Sequence, residues 1–201
     1  MKRNFFIATV AMTLSACAAM GDGGWQTLID GERGLDNFDR VGDGNWRAEG
    51  GAVVADQGKS AHLVSKNAYG DFEIRAEFWA ASDTNSGIFI RCNDRTAINA
   101  KNCYEVNIWD TRPEPKYGTG AIVDVAAVPV PLQNRADGKW NVYEITAKGP
   151  RMTVKLNGVT TVDVEHRALA SGPFTLQYAT GGVKGAQGSA IKWRKVQIRP
   201  I

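Results

Sequence analysis

The sequence predicts an all-β protein built as a sandwich or jelly roll of two packed antiparallel sheets. Apolar and polar residues alternate over short stretches, turn residues separate these stretches, and no segment has a helical period. Hydrophobic residues make up 43% of the 201 residues and charged residues 22%, which excludes a disordered, collagenous or multi-helix membrane protein. About a dozen strands can fill one core of this size. We therefore expect a single domain over residues 25–201.

The first 24 residues have the pattern of an export signal and not of the fold. A basic start, an apolar stretch over residues 5–14 and the sequence Leu14-Ser15-Ala16-Cys17 predict a signal peptide over residues 1–16. The apolar stretch is shorter than the roughly 20 residues that span a bilayer. Cleavage before a cysteine resembles the bacterial lipoprotein box, which implies a lipid-bearing Cys17 followed by a tether that ends at residue 24. An ordinary cleaved signal with an incidental Cys17 is the alternative.

The lipoprotein resemblance also implies a location. The residue directly after the cysteine is Ala18 and not Asp, which is typical of a lipoprotein addressed to the outer membrane. We therefore expect a lipid-anchored protein of the bacterial cell envelope that faces the periplasm and meets the membrane through its N-terminal lipid alone.

The clearest strand covers residues 71–79, in which Phe72 and Phe78 lie on an apolar face and Glu73 and Glu77 on a polar one. This alternation is typical of an antiparallel strand with one solvated face. The stretch 87–92 is apolar at consecutive positions, which indicates burial on both faces. Shorter strands are predicted near residue 46 and over residues 52–55, 62–65, 104–109, 140–148, 174–178 and 191–198.

One predicted hairpin turns at Asn157 and Gly158. A two-residue turn would place Met152 opposite Asp163, whereas a three-residue loop pairs it with Val164, an apolar residue. We expect the longer loop, because it puts the apolar side chains of both strands on one face.

The cysteines divide into an anchor and a pair. With Cys17 assigned to the lipid, Cys92 and Cys103 are left in an oxidising compartment and predict a disulfide. No CxxC motif and no histidine lies beside them, so a metal site at these cysteines is not indicated. If Cys92 lies opposite Cys103, then Ile90 lies opposite Glu105.

The charge balance argues against a nucleic-acid ligand. The net charge is +3, and removal of Lys2 and Arg3 with the signal leaves +1. Basic residues are neither in excess nor clustered along the sequence. A small uncharged ligand suits such a chain better than a polyanion.

The candidate chemistry lies between residues 85 and 120. Glu105 and Asn107 fall on one strand face, about 7 Å apart at the usual rise, whereas Asp110 has the opposite parity. The spacing is similar to the Glu-x-Asp-x-x-Glu pattern of concanavalin-like glucanases, with Asn107 and Asp110 replacing its last two acids. A retaining glycosidase needs carboxyl groups about 5 to 5.5 Å apart, but Glu105 and Asp110 are about 16 Å apart along an ideal strand. Polar positions on a solvated face are the alternative interpretation.

Proline-stiffened connections over residues 111–120 and 127–138 are the expected carriers of binding function.

Seven motifs in order along the chain resemble the 3-keto-disaccharide hydrolase domain family. The motifs are Gly44-Asn45-Trp46, Tyr69-Gly70-Asp71-Phe72-Glu73, Asn85-Ser86-Gly87-Ile88-Phe89-Ile90-Arg91, Tyr104-Glu105-Val106, Thr119-Gly120-Ala121, Trp140-Asn141-Val142-Tyr143-Glu144 and Leu156-Asn157-Gly158. The resemblance covers the chain from about Trp25 onward. It implies a concanavalin-like jelly roll and, for some members, cleavage of glycosides oxidised at carbon 3.

That chemistry needs only one well-placed base, because a ketone at carbon 3 acidifies the hydrogen on carbon 2. The resemblance implies Glu105 as the base, Asn107 as a hydrogen-bonding orienter and Asp110 as an acid or a supporting residue. Arg91 is expected either to stabilise charge in the reaction or to form a structural ion pair.

Aromatic and turn residues supply the candidate sugar contacts. Trp109, Tyr117 and Trp79 are candidates for stacking on a sugar face, although most tryptophans of a sandwich belong to its core. Asn85 is expected either to bind substrate or to form the turn before its strand.

No cofactor and no metal site are predicted. A divalent cation such as Ca²⁺ can bind carboxylate oxygens of Glu105 and Asp110, but no acidic cluster indicates one. His62 and His166 are expected at the surface, without metal-ligand spacing. The expected ligand is a small carbohydrate or glycoside. A non-catalytic carbohydrate-binding module and a structural envelope lipoprotein are the alternatives, and the sequence does not predict the oligomeric state.

Overall fold

The computed structural model describes residues 22–81, 83–180 and 189–201. The predicted signal peptide, the predicted lipid-bearing Cys17 and the tether residues up to 21 lie outside the described residues. Within the described part, no helix is long and apolar enough to cross a membrane.

Thirteen strands and three short 3₁₀ turns make up the described fold. The 3₁₀ turns cover Asp22–Gly24, Leu35–Asn37 and Pro115–Tyr117. The strands are β1 (Gln26–Asp30), β2 (Phe38–Gly42), β3 (Arg47–Glu49), β4 (Ala52–Ala55), β5 (Ser60–Ser65), β6 (Phe72–Ala80), β7 (Ser86–Ile90), β8 (Tyr104–Ile108), β9 (Trp140–Lys148), β10 (Arg151–Leu156), β11 (Val159–Glu165), β12 (Thr175–Ala179) and β13 (Ile191–Pro200).

These strands form two antiparallel sheets that pack face to face, which confirms the predicted all-β jelly-roll sandwich. The large sheet has eight strands in the order β11-β10-β9-β6-β13-β4-β3, with β1 also paired to β13. The small sheet has five strands in the order β2-β5-β12-β7-β8. One continuous core lies between the sheets and includes Phe78, Tyr143 and Trp193 of the large sheet and Leu63 and Val106 of the small one.

Alternation in the sequence determines which face of each strand enters the core. In β6 the apolar residues are buried and the intervening polar ones are not, as predicted. Sequence analysis missed β1 and β2. In β1 a bulge between Thr27 and Ile29 interrupts the alternation, so that the adjacent Leu28 and Ile29 are both buried. The edge strand β2 buries only Phe38.

The hairpin of β10 and β11 has the predicted pairing for a different reason. Met152 lies opposite Val164, as expected, but Asn157 and Gly158 form a two-residue turn with φ of 52° and 81°. Both positive values are typical of a type I′ hairpin turn. A bulge at Thr161 shifts the register by one residue, so that Val154 pairs with Val162 and Lys155 with Thr160. The Thr161 hydroxyl donates a hydrogen bond to the Gly120 carbonyl at 2.7 Å.

The pairing of β7 with β8 differs by one residue from the prediction. Phe89, and not Ile90, lies opposite Glu105, because the chain leaves the strand at Arg91 with a left-handed φ of 53°. The predicted disulfide between Cys92 and Cys103 is present just beyond this ladder. Since paired residues share a face, Glu105 lies on the face of Phe89, away from the core.

Arg91 is a structural residue, so its predicted role in stabilising reaction charge is wrong and the ion-pair alternative is correct. Only 1% exposed, it donates hydrogen bonds to the carbonyls of Gly70 at 3.0 Å, Gly149 at 2.7 Å and Leu169 at 3.4 Å. Its remaining nitrogen pairs with Asp71 at 3.1 Å. These partners consume the guanidinium donors and join three loops at the end of the sandwich.

Arg91→Met is expected to lower the free energy of unfolding by about 3 kcal/mol or more, because it removes one partner of a buried charge and leaves carbonyls without a donor. Chemical denaturation measures the change. Arg33→Met is the matched control, since the Arg33–Asp30 ion pair is exposed on both sides, and its midpoint is expected to stay at that of the unaltered protein. Equal midpoints for both variants would contradict the structural role of Arg91.

Candidate functional site

The candidate site lies on the outer face of the small sheet, where polar residues of adjacent strands meet. Glu105 and Asn107 project from β8, opposite Phe89 and Gly87 of β7. On β12, which is adjacent to β7, Gln177 continues this face and lies opposite His62 of β5. The intervening residues Tyr104, Val106 and Ile108 enter the core. The two-residue period of β8 thus separates its polar face from its apolar one.

Gly87 has no side chain at the centre of this face, and we call the resulting gap between Glu105 and Gln177 the hollow. A Cβ atom at this position would lie 3.6 Å from the Gln177 Oε1 atom and 3.6 Å from the Glu105 Cγ atom. It would also come within 2.9 Å of the Val106 carbonyl oxygen. The spacing of β7 and β8 and the hollow therefore both depend on the absence of a side chain at Gly87. Glycine therefore leaves no side chain between Glu105 and Gln177.

Glu105 is the buried acid of the site. Glu105 is 8% exposed, and burial raises the pKa of its carboxyl group to about 7. The charge of Arg112 lowers this pKa, and the charge of Asp124 raises it. A carboxyl group that is half ionised near neutral pH can accept a proton and return it.

Three polar atoms around Glu105 are buried without a hydrogen-bond partner among the described residues. They are the Asn107 Oδ1, Gln177 Oε1 and Arg112 Nε atoms. Buried polar groups are almost always paired in folded proteins, by protein or by an ordered ligand or water. Two acceptors and one donor of this face are therefore available to an ordered water or a polar ligand.

The connection over residues 111–120 forms the rim of the site. The Asn107 amide donates to the Tyr117 carbonyl at 2.5 Å, and the Arg112 guanidinium lies 5.5 Å from the Trp109 ring centroid. Of the residues predicted as sugar contacts, Tyr117 thus lies with its backbone against Asn107, and Trp109 lies against Arg112. Asn85 lies directly before β7, where it pairs with Ala179 of the neighbouring strand.

Asp110 supports these connections and does not face the hollow. Its carboxylate accepts hydrogen bonds from the Thr119 hydroxyl at 2.5 Å and from the backbone amides of Ala136 and Asp137 at 3.0 Å each. Both oxygens are occupied, so the carboxylate fastens together the two long connections. Of the two predicted roles of Asp110, acid or support, these contacts favour support.

Trp79 lies on the other side of the molecule. It projects from the outer face of the large sheet, with the Lys192 amine 4.8 Å from its ring centroid. The whole sandwich separates Trp79 from Glu105, so the predicted stacking of Trp79 on a sugar face would take place away from the candidate site.

His62 is a member of the site face that sequence analysis placed at the surface. It is 5% exposed, its Nδ1 atom lies 3.0 Å from the Thr175 hydroxyl, and burial lowers its pKa to about 4. Its ring also meets Phe89 edge-on at 5.2 Å. The imidazole is therefore neutral at neutral pH and packs the site wall.

Sequence analysis also missed Gln177, Arg112 and Gly87. Arg112 carried a signal, because it lies in one of the two connections singled out for binding. Gln177 did not, since a glutamine in an otherwise apolar strand has no local pattern. Within the described residues, no group of three or more His, Cys, Asp or Glu side chains could hold a metal ion.

A two-sheet sandwich with a polar hollow on the small sheet belongs to the class of galectin-like and concanavalin-like folds. The family assignment is more specific. Residues 24–199 match the family described as "3-keto-alpha-glucoside-1,2-lyase-like domain", so the chain belongs to that family, and the resemblance found in the sequence motifs is confirmed. No functionally curated protein matches the sequence.

Solved structures share the fold at low sequence identity. A Parabacteroides distasonis protein named "putative glycosyl hydrolase" has a TM-score of 0.67 at 22% identity, over 88% of this chain and 99% of its own. The Bacillus subtilis carbohydrate-binding module CBM66 has a TM-score of 0.56 at 16% identity, over 88% and 95%. The VIP36 exoplasmic/lumenal domain, in a form bound to Ca²⁺ and Man3GlcNAc, has a TM-score of 0.59 at 10% identity, over 87% and 88%.

Glu105→Gln is expected to stabilise the protein at alkaline pH. From about pH 4.5 to 7 the folded state keeps a proton that the unfolded state has released, so the stability of the unaltered protein falls as pH rises through this window. Glutamine carries no charge to bury, and the stability difference should grow from near zero below pH 4.5 to about 3 kcal/mol above pH 8.

Urea denaturation of both proteins at pH 4, 6 and 8 measures this difference, and the subtraction cancels the contribution of other titrating groups such as His62. A difference that stays constant over the three pH values would show that Glu105 is not buried as a proton-binding group.

Proposed function

We propose that the protein cleaves glycosides whose sugar carries a ketone at carbon 3, with Glu105 as the base that removes the proton from carbon 2. The observation that carries this proposal is a buried carboxyl group with a pKa of about 7 beside a hollow with three unpartnered polar atoms. The description of the family as lyase-like supports the same chemistry.

The proposed reaction requires one base and one electrophilic group. The Glu105 carboxylate takes the proton from carbon 2, and the electron pair of that bond forms an enolate with the ketone at carbon 3. The enolate then expels the aglycone, as the bond from carbon 1 to the glycosidic oxygen breaks. The leaving oxygen regains a proton, which Glu105 can return, and water adds to the unsaturated sugar to complete hydrolysis.

Arg112 is the residue suited to stabilise the enolate. Its Nε atom is a buried donor without a partner among the described residues, and its charge acts on Glu105. A fixed cation beside a developing oxyanion lowers the barrier most effectively in a site that excludes water. Asn107 and Gln177 offer acceptors for sugar hydroxyls, and Trp109 offers an aromatic face for the ring.

A non-catalytic carbohydrate-binding module is the second candidate. CBM66 shares the fold over nearly its whole length, and a hollow with two amide acceptors suits sugar binding without reaction. The two proposals differ in what a substitution of Glu105 removes: the reaction in one case, affinity alone in the other.

Incubation with a 3-keto-disaccharide is expected to release the second sugar, with an initial rate that rises with pH and levels off above pH 7, because the base must be ionised. Glu105→Gln should lower the rate by a factor of about 10² to 10⁴, and chromatography of the released sugar measures it. Sugar binding by calorimetry without any release would establish the binding module and overturn the catalytic proposal.

Arg112→Gln is the companion variant. It removes the cation that lowers the pKa of Glu105, so its pH–rate curve should rise at a higher pH than that of the unaltered enzyme, in addition to a lower plateau. A lower plateau with an unmoved midpoint would mean that Arg112 acts only on the structure of the rim. Arg135→Gln, in the second connection, is the matched control of equal charge change.

We also propose that Cys17 is acylated and anchors the protein in the outer membrane of a bacterial envelope. The motif Leu14-Ser15-Ala16-Cys17 supports this placement. Mass spectrometry of the protein purified from its membrane fraction is expected to show a chain that begins at Cys17 with added acyl mass. A mature chain with an unmodified cysteine would contradict the anchor.

A further inference from the structure

Basic residues are concentrated on one face of the fold, although they are not clustered along the sequence. The four adjacent strands β10, β9, β6 and β13 carry eight basic and three acidic side chains, whereas the flanking strands β11, β3 and β1 of the same sheet carry one basic and four acidic, and the five strands of the small sheet carry one basic and two acidic. The concentration arises only when the four strands are brought side by side in the fold, so the linear sequence does not reveal it. We call the outer surface of these four strands the basic face.

The acidic residues of the basic face are already neutralised. Glu73 pairs with Arg199, Glu77 with Arg194 and Glu144 with Arg75. The charge that remains belongs to lysines, which have no ion pair among the described residues: Lys148, Lys155, Lys192 and Lys195. The uncompensated positive charge thus belongs to exposed or half-buried lysines on three of the four strands.

Three tryptophans lie on the same face, each beside a cation. Trp79 and Trp140 are direct neighbours on β6 and β9, with Lys192 4.8 Å and Arg194 4.3 Å from their ring centroids. Trp25 lies 4.8 Å from the Arg199 guanidinium. Trp140 is 36% exposed. Indole rings interleaved with lysine and arginine are typical of surfaces that sit among lipid headgroups.

We propose that the basic face docks on the anionic headgroups of a lipid bilayer. Four unpaired lysines supply attraction to anionic lipids, and the tryptophans supply amphipathic rings for the boundary between headgroup and acyl chain. A cleft of about 270 Å³ lined by Trp25, Arg75, Lys155 and Arg199 offers space for single headgroups.

The position of the N-terminus supports this partner over another polyanion. Cys17 precedes Trp25 by eight positions, which limits their separation to about 29 Å of extended chain. A lipid on Cys17, as proposed above, would therefore hold this edge of the basic face close to the membrane. Glu105 lies on the opposite sheet, so docking would turn the candidate active site away from the lipid and toward soluble substrates.

The test uses the chain that begins at Ala18, which contains every described strand but has no site for acylation. It is expected to sediment with vesicles of 30% phosphatidylglycerol in phosphatidylcholine and to stay in solution with pure phosphatidylcholine. Lys148→Gln, Lys155→Gln and Lys195→Gln together should weaken binding at least tenfold. The matched triple Lys59→Gln, Lys66→Gln and Lys101→Gln makes the same charge change outside the basic face and should weaken binding less than twofold.

Brominated lipids give a second readout, since they quench tryptophans near the bilayer. Quenching of the unaltered chain should decrease in Trp140→Phe but not in Trp109→Phe, whose tryptophan lies on the small sheet. Equal effects of the two lysine triples would show that net charge alone causes the attraction, which would overturn the proposal. Binding to the anionic polysaccharide alginate without lipid quenching would identify a polymer as the partner and overturn it as well. Neither outcome bears on Glu105 catalysis, which the sugar-release assay measures separately.

Discussion

The pairing of β7 with β8 is the constraint on which the candidate site depends. With Gly87 opposite Asn107 and Phe89 opposite Glu105, the apolar residues of β8 enter the core while its acid and amide lie on the outer face. A shift by one residue would invert this arrangement, because the side-chain period of a strand is two. Gly87 allows the strands to approach closely at this point, since a Cβ atom there would meet the Val106 carbonyl oxygen at 2.9 Å. Close pairing and the hollow in front of Glu105 thus have one cause.

The site contains features that oppose folding. A carboxyl group with a pKa raised by burial and three buried polar atoms without partners each cost free energy, about 1–3 kcal/mol for an unsatisfied group. The large core between the sheets and the hydrogen bonds of Arg91 and Asp110 supply the compensating stability outside the hollow. Asp110 has a particular part in this, because it joins the two long connections to the end of β8. The rim that carries Arg112 is therefore held by Asp110 and not by Glu105.

The sequence predicted the features of this structure that depend on neighbouring residues, and it missed those that depend on residues far apart along the chain. Local alternation gave the strands of the sandwich and the shared face of Glu105 and Asn107, since both depend only on a period of two. It did not give the register of β7, which depends on a left-handed residue at Arg91. Local alternation also does not predict which sheet a strand joins. The alternation of β6 shows that Trp79 faces outward, but not whether it lies on the large or the small sheet. Gln177 and His62 join the face that carries Glu105 only through β12 and β5, whose order in the sheet is a property of the whole fold.

The two outer faces of the sandwich divide the chemistry of the protein. The small sheet concentrates uncharged polar groups around a single carboxyl, and burial makes that group responsive near neutral pH. The large sheet concentrates lysines whose acidic neighbours are already paired with arginine, so its charge is available to an external partner. Because the two sheets pack through one shared apolar core, an orientation imposed on one face fixes the direction of the other. A partner that holds the large sheet thereby aims the hollow at the opposite side, without any contact to the residues that surround Glu105.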